Sequence, residues 1–203
     1  MTLARPFGRW LATARDWVPA VERAYVEAAF APAAPLPPQG DPAVDPVLAA
    51  AAAGAVASRF LAVGTPRSLG LIGEWTACAL SLYAHRVWFS PTDIRCAGDD
   101  RGADELGGRI VSIEEALAAD IVCIHLPLAL AAAQLRRGTH VNALAGVELD
   151  RDLRERATIV DEPSGLPALA AGLRDGRQLD EITVFVAGDL AIARRGLAGL
   201  AGR

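Results

Sequence analysis

Short apolar runs separated by amphipathic stretches set the rhythm of this chain from residue 46 onward. The runs at 68–72 (SLGLI), 86–89 (RVWF), 121–125 (IVCIH), 140–144 (HVNAL), 158–161 (TIVD) and 182–185 (ITVF) have strand length, and a brief strand fits 109–111. Between them, helices are predicted at 75–84, 113–119, 128–135, 150–156, 163–174 and 190–200. Ser112 precedes the third-position Glu115 as in a capping box. The stretch 90–108 carries Gly and Asp throughout and is predicted as loop with one short helical turn.

Upstream, Trp10, Trp17, Val21, Ala24, Tyr25 and Ala28 recur at three- and four-residue spacing, which predicts a helix over 8–31. Its aromatics need either a partner or the body of the protein to cover them. Six prolines between Pro32 and Pro46 then impose an extended linker, and an alanine-rich helix follows at 46–61. Buried strands alternating with helices imply right-handed βαβ crossovers. The expected architecture is an α/β Rossmann-like parallel sheet of about six strands, with helices on both faces and an N-terminal helix in front. The expected parts are residues 1–31 (helix), 32–46 (linker) and 47–203 (Rossmann-like domain).

Composition narrows the chemistry. All 20 basic residues are Arg, so lysine Schiff bases, lysine general bases and a P-loop lysine are excluded. A net charge of −4 with no basic block argues against nucleic acid and acidic membranes as partners. Cys78, Cys96 and Cys123 form no CxxC pair and no zinc-like cluster with the three histidines, so no metal site is expected. Without a long apolar run or a signal-like N-terminus, the chain reads as a soluble, reduced, cytoplasmic protein.

In a Rossmann unit the first strand enters a G-x-G-x-x-G/A turn that admits the pyrophosphate. Here that strand runs into Gly73-Glu74-Trp75-Thr76-Ala77-Cys78. Gly73 keeps the turn, but Trp75 takes the second glycine's place and Cys78 the third's. Trp75 projects an indole where a pyrophosphate belongs, and Glu74 sets a carboxylate beside the positive helix terminus. For the ribose acid normally found after the second strand, Asp93 is a late candidate, with Ser90, Thr92 and Arg95 as weak partners for a 2′-phosphate.

AVASRFLAVGTPRSLGLIG, ALAADIVCIHLP with LRRGTHVNALAG, DEITVF with GDLAIARRGLAGL, and VPAVERAYVEAAF resemble the ornithine cyclodeaminase/μ-crystallin family, which includes alanine dehydrogenases. The resemblance covers residues 18–31 and 46–203. It implies a Rossmann domain, NAD(P) binding and action on amino acids or cyclic imines. It also implies a second sheet domain, where this chain has only the proline linker. The family's Arg-Thr pair would fall near Ala50 to Ala53, and its catalytic acid near Val147, with Glu148 as a displaced substitute. Its substrate-site lysine cannot exist here. ADIVCIHLPL is also similar to 2-hydroxyacid dehydrogenases, which lack the DEIT ending.

Ligands of open α/β sheets sit beyond the strands' carboxyl ends. Gly73, Trp75, Thr76, Ser90, His125 and Asn142 are the ligand-cleft candidates, with Glu74, Asp161 and Glu162 beside them. His125 is the group best placed to titrate near neutral pH, or else it ties the strand to its loop. Asn142 either contacts a ligand or bonds loop backbone. Cys78 is a reactive thiolate at a helix N-terminus or a buried packing residue. No catalytic residue is assigned. The reading is of a non-catalytic binding, regulatory or partner subunit, with a paralogous subunit, another protein or a small molecule as its counterpart. The alternative is an NAD(P)-dependent oxidoreductase or cyclodeaminase-like enzyme with a modified cofactor loop.

Overall fold

The computed structural model describes residues 13–30, 45–99, 103–162, 165–176, 180–188 and 190–201. The N-terminal helix, α1, spans Ala14–Phe30, and the alanine-rich α2 spans Pro46–Leu61. Asp45 caps α2 by accepting the Val47 N–H at 2.7 Å, and Pro46 opens the first turn, where its missing N–H costs nothing. Trp10 and residues 31–44, which hold most of the expected linker, lie outside the described residues.

β1 (Ser68–Gly73), α3 (Trp75–His85), β2 (Asp93–Gly98), β3 (Arg109–Ile110), α4 (Ile113–Leu117) and β4 (Ile121–Ile124) come next. β5 (Leu128–Leu130), β6 (His140–Ala143), β7 (Val147–Leu149), α5 (Arg151–Arg156) and β8 (Thr158–Asp161) follow, then α6 (Gly165–Ala170), β9 (Thr183–Val186) and α7 (Ala191–Ala201). Seven strands make one parallel sheet in the order β3-β2-β1-β4-β6-β9-β8, and β5 and β7 form a separate parallel pair. The expected Rossmann-like sheet is therefore present, with one strand more than expected and an added two-stranded ribbon.

Two expected elements are corrected. Arg86–Phe89 is not the second strand: the N–H groups of Trp88 and Phe89 turn back onto the His85 carbonyl, and the apolar side chains lie against the helical layer. Arg59 sits 4.9 Å over the Trp88 ring. The second strand is instead DIRCAG, whose Ile94 and Cys96 point inward. Residues 128–135 are not a helix either. Leu128–Leu130 pairs with Val147–Leu149 instead, and only a 3-10 turn at Ala132–Gln134 remains.

The sheet's faces alternate by residue: Leu69 and Leu71 face α1, α2, α3, α6 and α7, whereas Ile72 faces α4, α5 and the ribbon. Close approach is built into the sequence. A Cβ at Gly70 would meet the Ala116 carbonyl at 2.2 Å, so α4 can lie on β1 only because residue 70 has no side chain. At Gly196 a Cβ would meet Val21 Cα at 2.9 Å, where α7 crosses α1. Trp17 and Tyr25 are fully buried. The body of the protein covers these two aromatics of α1, whereas Phe30 at its end is 66% exposed.

Candidate functional site

The strand order reverses between β1 and β4, and the crevice that a dinucleotide would use opens above their carboxyl ends. Gly73 ends β1 with φ +143, a conformation that side chains rarely adopt, and a Cβ there would meet His125 Cβ at 2.8 Å. Trp75 is the first residue of α3 and packs half-buried against the core. Around it Gly73, Cys78, Cys96, Ala97, Asp99, Ala103 and Leu106 leave a cavity of about 10 Å³. That is the space of roughly one water molecule. Glu74 occupies the N-cap of α3 without capping it, so its carboxylate is free to face the helix terminus.

The corrected second strand changes which candidates meet. Ser90 and Thr92 precede β2 and sit at the opposite end of the sheet from Gly73, so neither belongs to the crevice. Asp93 is also at that end, held below the usual carboxylate range by hydrogen bonding to Arg95, assisted by Arg109. Arg95 is spent on Asp93 and on the Glu115 carbonyl. The acidic residue that follows the second strand is Asp99, beside Gly98 at the crevice. Sequence reasoning missed Asp99 because it ended the second strand at Phe89; correct strand placement would have found it.

His125 follows β4 at the crevice. Its N–H bonds the Ile72 carbonyl at 2.7 Å, and its ring Nε2 lies 2.7 Å from Ser81 Oγ. Thr76 is half-buried in the first turn of α3. Asn142, by contrast, is fully buried in mid-strand and does not reach the crevice. It belongs to a chain of polar groups between the sheet and α2. Thr183 Oγ1 donates to His140 Nδ1 at 2.8 Å, and His140 Nε2 donates to Asn142 Oδ1 at 3.1 Å. Asn142 Nδ2 donates to Ser58 Oγ at 2.9 Å. Ser58 in turn donates to His85 Nε2 at 2.9 Å, and His85 Nδ1 donates to the Ser81 carbonyl at 2.7 Å.

The direction of this chain follows from its end. The Ser81 carbonyl can only accept, so His85 carries its hydrogen on Nδ1 and offers a lone pair at Nε2. Every upstream group then finds a donor or an acceptor with all rings neutral. Burial drives the His85 pKa down to about 4, against its backbone hydrogen bond. Burial, with repulsion from His85, lowers His125 likewise to about 4. Both are neutral bases at pH 7.

The cysteines line the same region. Burial, then the neighbouring Cys96 and Cys123, raises the Cys78 pKa, and burial pushes Cys123 up to about 12. Cys78 is therefore a protonated packing residue, not a thiolate. Glu148 lies exposed on β7 in the ribbon. Among the described residues no group of three or more His, Cys, Asp or Glu could hold a metal ion, and no helix is long and apolar enough to cross a membrane.

No family model and no curated protein matches the sequence. Solved structures do. An archaeal alanine dehydrogenase dimer with bound NAD superposes with a TM-score of 0.75 at 19% identity, over 95% of this chain and 92% of that one. The iminosuccinate reductase of Paracoccus denitrificans in complex with NAD+ gives 0.63 at 26% identity, over 77% and 64%. A probable ornithine cyclodeaminase from Bordetella pertussis Tohama I gives 0.61 at 22% identity, over 76% and 66%. The chain thus spans less than two thirds of the last two. These neighbours bear out, as a likeness of fold, the resemblance to the ornithine cyclodeaminase/μ-crystallin family read from the sequence.

Proposed function

We propose that this chain is a diverged, shortened relative of the ornithine cyclodeaminase/μ-crystallin family that acts as a non-catalytic binding or partner subunit. The observation that carries this reading is Trp75. Its indole occupies the position of the second turn glycine, and the cavity around it holds only about 10 Å³. The missing lysine and the engagement of Asn142 inside the protein support the same reading. A dinucleotide's pyrophosphate needs backbone N–H groups it can approach closely, which the indole and Glu74 deny it.

Calorimetric titration with NAD+, NADH, NADP+ and NADPH tests it directly. No saturable binding at micromolar concentration is expected of the unaltered chain, and such binding would falsify the proposal. Trp75→Gly should open the crevice and bring measurable dinucleotide binding.

A second reading rests on Asp99. It stands where a ribose-binding acid follows the second strand, and three of the solved neighbours carry NAD or NADH. On that reading the chain is an NAD(P)-dependent oxidoreductase in which the indole swings aside. Binding of NAD+ that is abolished by Asp99→Ala would favour it over the first.

A further inference from the structure

At the amino ends of β1, β4, β6 and β9, opposite the dinucleotide crevice, lies a cavity of about 390 Å³ bordered by Thr65, Arg67, Asp120, Arg136, Arg137 and Asp180. Its volume falls in the range of small-molecule sites, about 300–1,000 Å³. Three arginines and two aspartates line it, and the two aspartates are unequally engaged. Asp120 Oδ2 accepts the N–H groups of Arg67 and Ser68 at 2.9 Å each, and Oδ1 faces Arg136 Nη2 at 3.3 Å. Burial opposes ionisation of Asp120, but these donors outweigh it and hold the carboxyl below its ordinary range. Asp120 and Arg136 therefore neutralise one another. Arg67 and Arg137 have no ion-pair partner among the described residues.

Both free guanidiniums stand on fixed backbone. The Arg67 carbonyl accepts the N–H groups of Thr92 and Asp93, while its own N–H is held by Asp120. Arg137 lies in a tight turn in which the Thr139 N–H bonds the Arg136 carbonyl at 3.2 Å and Gly138 takes φ +91. Across the cavity Asp180 is kept at φ 66, a left-handed conformation costly for a residue with a side chain.

We propose that this cavity is a binding site for a small phosphate ester. The phosphoryl group is taken by the forks of Arg67 and Arg137, whose planar donors match its oxygens. Asp180 accepts a hydroxyl of the organic part and, by its charge, turns the phosphoryl group towards the arginines. The cavity is open and polar, so modest affinity is expected, suited to sensing a metabolite at its cellular level.

The test is thermal unfolding and calorimetry of the full chain with glycerol 3-phosphate, inorganic phosphate and glycerol, each against chloride at matched ionic strength. Glycerol 3-phosphate should stabilise most, and glycerol not at all. Arg67→Gln with Arg137→Gln should weaken its binding by about tenfold or more, and Arg151→Gln, on exposed α5, should not. The glutamines remove the charge but keep a polar side chain at exposed positions, and circular dichroism verifies the fold. Stabilisation equal to that by chloride, an unchanged response in the double variant, or a response to inorganic phosphate without one to glycerol 3-phosphate overturns the proposal. None of these outcomes bears on whether the crevice admits a dinucleotide, so the two readings stand or fall separately.

Discussion

The two faces of the central sheet are built by different rules. On the face towards α4, α5 and the ribbon, Ile72, Val122, Ile124, Val141 and Val184 form a dry aliphatic layer. On the other face the aliphatic core is threaded by Ser58, His85, Asn142, His140 and Thr183, all buried and linked in one chain. A dry layer tolerates sliding, because any apolar neighbour of similar size serves. A hydrogen-bonded chain does not, since a shift of α2 would strand several buried polar groups at once. The polar face therefore sets where the alanine-rich α2 sits, a helix whose small side chains could not otherwise specify a register.

The comparison can be broken at several points. Trp17→Ala should have the largest effect, because it empties a fully buried indole site where α1 meets the body. A loss of about 4 kcal/mol is expected by urea unfolding. Asn142→Ala leaves the His140 Nε2–H without its acceptor and takes a donor from Ser58 Oγ, for about 3 kcal/mol, and should broaden the resonances of α2 in an amide NMR spectrum. If Asn142→Ala costs under 1 kcal/mol, the register argument fails.

Acid separates the faces next. The unfolded chain protonates its histidines as pH falls through about 6.5, whereas folded His85 resists until about 4. The contribution of His85 is thus level above pH 6.5 and is lost between 6.5 and 4, by about 3 kcal/mol. His85→Gln should flatten this slope without abolishing it, because His125 titrates alike. Urea midpoints at a series of pH values measure both. The smallest effect belongs to the dry face. Ile124→Val should cost about 1 kcal/mol and leave the pH slope unchanged.

Much of the architecture was legible along the chain. The helix at Pro46–Leu61 carries its own signals in Asp45, Pro46 and the alanine run, and Ser112 and Asp150 cap the Glu115 and Leu153 N–H groups as their positions suggest. Two apolar segments misled. RVWF is hydrophobic enough for a strand, but its side chains cover a helix end, and only the packing of Trp88 under Arg59 reveals that. LALAAAQL has helix-forming residues, yet a partner strand about twenty residues later extends its first part. The candidate site was half legible for the same reason. The altered Gly73–Cys78 turn lies within one segment, whereas Asp99 depended on locating a strand whose apolar residues are few.

By itself the sequence determined the class of fold, the absence of lysine chemistry and the indole in the turn, because each is written in local pattern or residue type. Tertiary structure alone decided that Asn142 is engaged with Ser58 and His140, that Asp99 stands at the crevice, and that Arg67, Arg137 and Asp180 face one cavity. Those groups lie tens of residues apart along the chain. No periodicity records such a meeting; the parallel register of β1, β4, β6 and β9 creates it.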